Sequence, residues 1–301
     1  MIEQRRCGFV AILGAPNAGK STLVNRLVGT KVSIVSPKVQ TTRTRVLGIA
    51  LVEEPGAQVI FIDTPGIFKP KLRLERAMVR AAWSGATDAD VVALVVDARK
   101  GIDDDVRRII AQLKAVSRRA LLLLNKIDVV KREQLLGLAQ ALHQEGIFDD
   151  VFMISAEKGD GTNDFLAFCG KSMPAGPWHF PADQLSDMPQ RILAAEITRE
   201  QLFNRLHQEL PYAALVESDS WEERKDGSCR IDQTIYVRRD SQKAIVLGKG
   251  GAQIKAISAS ARMELERLLE RPVHLFLFVK VREDWPDDPQ RYADLGLDYD
   301  A

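Results

Sequence analysis

Apolar positions in the first 170 residues fall into short continuous runs at 8–13, 47–52, 59–62, 91–96, 121–124 and 151–154. Runs of four to six such residues, bounded by polar or glycine-bearing segments, have the length of strands buried on both faces. Between most of them the spacing changes to every third or fourth residue, over 20–28, 74–84, 104–116, 131–145 and 163–172, which predicts amphipathic helices. The alternation predicts an α/β domain whose mixed, mostly parallel sheet is covered on both sides. Runs 47–52 and 59–62 are the exception. They are joined through Glu54-Pro55-Gly56, too short for a crossover, and so predict an antiparallel hairpin.

Beyond residue 173 the pattern breaks. Pro174, Gly176, Pro177, Pro181 and Pro189 surround Trp178, His179 and Phe180, which marks 174–189 as a linker whose aromatic rings pack on something. A helix is then expected over 190–208, β-rich stretches over 213–223 and 230–239, a glycine loop, a long helix over 253–269 and a strand over 273–281. This order predicts a separate α+β domain at 190–283, after a first domain at 1–173 and before an acidic tail at 284–301.

Composition narrows the class. A chain of 301 residues, 46% hydrophobic and 28% charged, is an ordinary globular protein with room for two cores. No apolar run approaches the roughly 20 residues of a membrane span. The first residues lack a signal-peptide core, and Cys7, Cys169 and Cys229 are too scattered for a zinc cluster or a disulfide framework. A cytoplasmic location is expected. The net charge of +1 hides an asymmetry: residues 224–255 hold eight basic and three acidic side chains, and 283–301 hold seven acids and Arg291. The basic region reads either as a solvated face or as a polyanion surface.

The chemistry is concentrated behind the strands. Residues 14–21 read G-A-P-N-A-G-K-S, a complete phosphate loop between a strand and a helix. Gly14, Asn17, Ala18 and Gly19 bring backbone N–H groups to the phosphates, Lys20 supplies a charge to the β and γ groups, Ser21 a hydroxyl to Mg2+, and Thr22 opens the helix. Asp63-Thr64-Pro65-Gly66 follows the run 59–62. Asp63 can hold Mg2+ through water, and the Gly66 N–H can reach a γ-phosphate and lose it on hydrolysis. Asn125-Lys126-Ile127-Asp128 closes the run 121–124. The Asp128 carboxylate fits the N1–H and exocyclic amine of guanine, Asn125 can reach the O6/N7 edge, and the stem of Lys126 can lie over the ring. Ser155-Ala156-Glu157 follows the next strand and offers N–H groups to O6. GTP and GDP are the implied ligands; a metabolic ATPase or nucleotide kinase is disfavoured by Asp128.

These four motifs, each behind a strand, resemble the translation-factor class of P-loop GTPases. That resemblance makes Gln40-Thr41-Thr42-Arg43 the effector loop, with Thr42, or alternatively Thr41, on Mg2+ in the GTP state. Ile67 stands where Ras-like proteins place a water-orienting glutamine, so unaided hydrolysis is expected to be slow. Asn17 resembles the asparagine of potassium-dependent GTPases, where K+ lends charge to the transition state; the other reading is a residue that stabilises the loop's turn.

In the second domain, residues 245–254 carry Gly248-Lys249-Gly250-Gly251 ahead of a helix, within the basic region and with Lys255 one turn on. Such a loop lets a nucleic-acid backbone lie close, and the order of elements resembles a type II KH domain. Ile245, Ile254 and Ile257 are candidates for its apolar groove or for its core. The union of this domain with such a GTPase resembles the Era family of bacterial ribosome-assembly GTPases, nearly end to end. The resemblance implies GTP-dependent binding to the 3′ end of small-subunit ribosomal RNA during maturation of the small ribosomal subunit. It also implies peripheral association with the inner membrane, and a monomer is expected. A second hypothesis treats RNA as a passive anchor while the GTPase engages a protein or membrane through its switches.

Overall fold

The computed structural model describes residues 5–38, 41–206, 210 and 214–301. Gln40, Gln208 and Ala213, which the sequence reading assigns to the effector loop, to a helix and to a β-rich stretch, lie outside these. The chain divides into two units. One comprises residues up to Ser33, Thr42–Asp187 and Leu295–Ala301, and the other Ile34–Thr41 and Met188–Asp294.

Six strands build the first unit: β1 (Arg6–Gly14), β2 (Val46–Val52), β3 (Ala57–Asp63), β4 (Val91–Asp97), β5 (Ala120–Asn125) and β6 (Phe148–Ile154), in the order β2-β3-β1-β4-β5-β6. β2 pairs antiparallel with β3, and the remaining pairs are parallel. Helices α1 (Lys20–Val28), α2 (Arg73–Asp88), α3 (Asp104–Ala115), α4 (Arg132–His143) and α5 (Thr162–Ser172) cover both faces. Successive side chains of a strand point to opposite faces, and the core divides accordingly. Leu13, Ile62, Leu94 and Leu124 pack with Ala82, Ile109 and Leu142. Ile12, Phe61, Val95 and Leu123 pack with Leu23, Val24 and Phe165 on the other side. Burial on both faces is why these strands read as continuous apolar runs. β1 lies between β3 and β4, so its carboxyl end opens at the point where the strand order reverses, the position where such sheets bind ligands.

Residues 174–187 fold with this unit. Gln58 Oε1 accepts from the backbone N–H of His179 (2.9 Å) and Phe180 (3.0 Å), and Trp178 and Phe180 pack against the sheet's core.

The second unit is a sheet of β7 (Leu215–Glu223), β8 (Cys229–Val237) and β9 (Val273–Val281), in that order, with β7/β8 antiparallel and β8/β9 parallel. Helices α6 (Gln190–Arg205), α7 (Asp240–Leu247) and α8 (Ala252–Leu269) supply its core partners, among them Ala195, Leu202, Val246 and Ile257 against Ile235 and Val237.

Two parts of this unit differ from the sequence reading. The run ending at Leu247 is the last turn of α7, a helix that the sequence reading did not list before the glycine loop. Gln242 Oε1 accepts from the N–H groups of Arg238 (2.8 Å) and Arg239 (3.2 Å) and so starts the helix. Eight residues give too few turns for a helical period to show. The acidic tail is also folded over much of its length, with a 3-10 turn at Trp285–Asp287 and α9 (Pro289–Asp294). Trp285 and Tyr292 are buried, and Arg291 pairs with Glu217 and lies 5.0 Å from the Tyr236 ring. Acid-rich composition concealed these arginine partners. No helix among the described residues is long and apolar enough to cross a membrane.

Candidate functional site

The turn from β1 into α1 runs through Asn17 (φ 62°) and Gly19 (φ 101°), both left-handed. A Cβ on Gly19 would lie 2.2 Å from Asn125 Nδ2, so that position admits no other residue without moving the loop. Lys20 is buried beneath the loop, and its Nζ donates to the carbonyls of Gly14 (3.1 Å) and Ala15 (3.0 Å). Burial pushes its ammonium down to about 8, with Asp63 pulling the other way. Gly66 approaches from the end of β3: a Cβ there would meet Pro16 Cγ at 2.9 Å. Ile67 is buried, and its backbone N–H donates to Gly14 O at 3.1 Å.

Ser21, Thr42 and Asp63 converge beside this loop. Ser21 Oγ donates to Asp63 Oδ2 (2.6 Å) and lies 2.9 Å from Thr42 Oγ1. Ser33, which the sequence reading missed, also donates to Asp63 Oδ2, at 2.7 Å. Burial pushes the Asp63 carboxyl up, against hydrogen bonds from Ser21 and Ser33, the charge of Lys20 and the hydroxyl of Thr42. Its Oδ1 takes no hydrogen bond from any described residue. A buried carboxylate with one oxygen unspent, beside two hydroxyls, is a hard oxygen donor set of the kind that suits Mg2+. Thr41 is placed elsewhere, its Oγ1 donating to Lys38 O at 2.7 Å and lying 2.6 Å from Ser36 Oγ.

At the ends of β5 and β6 a cavity of about 430 Å³ is lined by residues that include Gly19, Thr22, Asn125, Lys126, Asp128, Ser155 and Ala156. Asn125 is buried and ties three loops together: its Nδ2 donates to Ala18 O (2.8 Å), and its Oδ1 accepts from the N–H of Ala156 (2.9 Å) and Lys126 (2.8 Å). Ser155 Oγ donates to Asp128 Oδ1 at 2.7 Å, fixing that carboxylate at the rim. Lys126 Nζ bridges Asn17 O and Asp97 Oδ2, both at 2.7 Å, which lays its stem along the cavity. Asp97 and Arg99 are further members that the sequence reading did not find. The available signal was an acid closing a strand at the sheet's carboxyl edge, as Asp63 does.

In the second unit, Gly248 (φ 70°), Gly250 (φ 61°) and Gly251 (φ 77°) are all left-handed and lead directly into α8. A Cβ on Gly248 would meet the Gln253 backbone N at 2.9 Å. Lys249 and Gly250 are exposed, so main chain and lysine present themselves together at a helix start. Ile245 is exposed, Ile254 half-buried against the core, and Ile257 wholly buried in it. Ile257 is therefore a core residue and not part of a groove, because it sits on the face of α8 turned to the sheet.

A family model described as 50S ribosome-binding GTPase matches residues 9–126, and a KH domain model matches residues 209–286. The chain is 60% identical to GTPase Era of Rhizobium meliloti (strain 1021), over 98% of its length and 93% of the relative's. The chain belongs to the GTPase Era family. It is also 58% identical to GTPase Era of Bradyrhizobium sp. (strain BTAi1 / ATCC BAA-1182), over 98% of this chain and 96% of that one. Two solved structures match with TM-score 0.91 and 38% identity, each covering 97% of this chain and 99% of the other: a point variant of Aquifex aeolicus Era bound to GDP.AlF4-, and Era with MgGDPNP and nucleotides 1506–1542 of 16S ribosomal RNA. As an Era GTPase, the chain hydrolyses GTP to GDP and phosphate and carries a carboxyl-terminal KH domain.

Proposed function

We propose that this GTPase is a nucleotide-controlled RNA clamp of small-subunit assembly: its KH domain binds the 3′ end of small-subunit ribosomal RNA, and GTP binding and hydrolysis set when it holds and when it lets go. The observation that carries this reading is the exposed left-handed loop Gly248-Lys249-Gly250-Gly251 running into α8. It is supported by the likeness to an Era structure that contains that RNA segment.

At the nucleotide site, Gly14, Asn17, Ala18 and Gly19 direct N–H groups at phosphates, and Lys20 turns from its carbonyl partners toward the β and γ groups. Ser21, Thr42 and Asp63 would hold Mg2+, which when bound spreads the charge that develops on the phosphates. Asn125, Lys126, Asp128, Ser155 and Ala156 hold guanine. Thr64, Pro65 and Gly66 carry the contact that disappears with the γ-phosphate. Ile67 offers no hydrogen bond to an attacking water, so slow intrinsic hydrolysis is expected. K+ beside Asn17 would supply the missing charge, and faster turnover in KCl than in NaCl, lost in Asn17→Ala, checks that part.

The deciding experiment measures affinity for a ribosomal 3′-end oligonucleotide with GDPNP and with GDP. Different affinities support the clamp. Equal ones remove the coupling while leaving both binding sites standing. Replacing Gly248 and Gly251 by Asp should abolish association with the small subunit, because the side chains would fill the path of the RNA backbone and repel its phosphates. Association that survives both changes would place the anchor elsewhere than the glycine loop. Peripheral membrane binding belongs to the same proposal and is checked by co-sedimentation with anionic vesicles.

A further inference from the structure

Residues 34–38 and 41, part of switch I by family resemblance, fold with the second unit. Ile34 is buried among Ala194 and Ile197 of α6, Cys229 and Ile231 of β8, and Ala261 of α8. Two neighbouring residues of α6 grip the segment's main chain near its two ends. Glu200 Oε1 accepts from the Val35 N–H at 2.8 Å, and Arg199 Nη2 donates to the Thr41 carbonyl. Arg199 is 1% exposed. Its Nε donates to Glu196 Oε1 at 2.7 Å, and its guanidinium lies 5.2 Å from the Phe203 ring. A charged fork buried and pinned from both sides is a stiff donor.

The residue after Thr41 is Thr42, whose hydroxyl lies against Ser21. The Thr41 carbonyl and the Thr42 N–H and Cα share one peptide plane, so fixing that oxygen fixes the direction from which the chain enters Thr42.

We propose that Arg199 and Glu200 are positioning residues for GTP hydrolysis, acting on the main chain of switch I so that Thr42 is presented to the Mg2+ site. This rests on the reading of Thr42 as a residue that serves Mg2+ when GTP is bound.

The full-length protein tests this with Arg199→Ala, Glu200→Ala and Glu200→Gln. The readouts are kcat, KM, and the Mg2+ concentration that half-saturates binding of fluorescent GDPNP and of fluorescent GDP. Arg199→Ala and Glu200→Ala should each lower kcat about 10-fold and raise the Mg2+ requirement for GDPNP by a comparable factor, while GDP binding is unchanged. Glu200→Gln retains an acceptor for the Val35 N–H and should stay near wild type. Wild-type kcat and Mg2+ requirement in the folded alanine variants would overturn the proposal. So would a parallel loss of GDP and GDPNP affinity, or a Glu200→Gln variant as impaired as Glu200→Ala. Thr42→Ala separates the two layers. If it leaves the Mg2+ requirement for GDPNP unchanged, the reading of Thr42 fails. If it raises that requirement and Arg199→Ala does not, the positioning proposal alone fails.

Discussion

At the scale of single residues, the proposed function rests base choice on Asp128, held at the cavity rim by Ser155. Hydrogen bonds to a charged acceptor contribute about 1.5–3 kcal/mol each, so Asp128→Asn should weaken GTP binding by about 100-fold or more. It should also shift preference toward xanthosine nucleotides, as competition against fluorescent GDP would show. Asp97 is subtler. Burial pushes its carboxyl up, but hydrogen bonds from Arg99 and Lys126 outweigh this and bring it down to about 2. A carboxylate held below its unfolded value of about 3.9 stabilises the fold above that pH, and the gain fades as pH falls toward 2. Wild type should therefore exceed Asp97→Asn by about 1–2 kcal/mol near pH 6, and the gap should close between about pH 4 and pH 2. Urea unfolding across that range measures it, and a gap that stays constant would deny the ion pair its role.

Elements were legible where their pattern was local and long enough. β1 to β5 match the apolar runs because both faces are largely buried, leaving little alternation to confuse them, whereas β6 is only partly buried and begins three residues before its run. Local capping also shapes these elements: Asp103 Oδ1 accepts from the Val106 N–H at 2.9 Å and opens α3. Asp103→Ala should cost about 1 kcal/mol of stability, read by urea unfolding. α7 was missed because its two turns end in Ile245-Val246-Leu247, a run that looks like a strand. The carboxyl-terminal segment was missed because composition reports charge and not pairing. Trp285 is 2% exposed there, so Trp285→Ala should destabilise the KH unit by about 3–5 kcal/mol. A tail that merely trails in solvent would show no such loss in chemical denaturation.

For the molecule as a whole, one chain carries a nucleotide site in the first unit and a glycine loop in the second, with residues 34–38 and 41 folded into the second. Affinity for the RNA oligonucleotide should fall steeply with salt under the proposed function, in which Lys249 and Lys255 act on phosphates. Lys249→Ala should flatten that slope by about 1 in log–log units, which titrations at several KCl concentrations would reveal.

What the sequence determined by itself was every feature whose geometry is local: the phosphate loop, the acid behind β3, the guanine motif behind β5 and the glycine loop before α8. Each is specified within about ten residues, since strand, turn and helix start follow from neighbouring side chains and glycines. The tertiary structure alone decided that Thr42 rather than Thr41 faces Ser21 and Asp63, that Arg99 lines the cavity while Asp97 holds Arg99 and Lys126, and that Ile257 is core. It also decided that α6 holds the main chain at Val35 and Thr41. Those hydrogen bonds join residues 165 and 158 positions apart, and no local pattern carries information about a partner so distant in the chain.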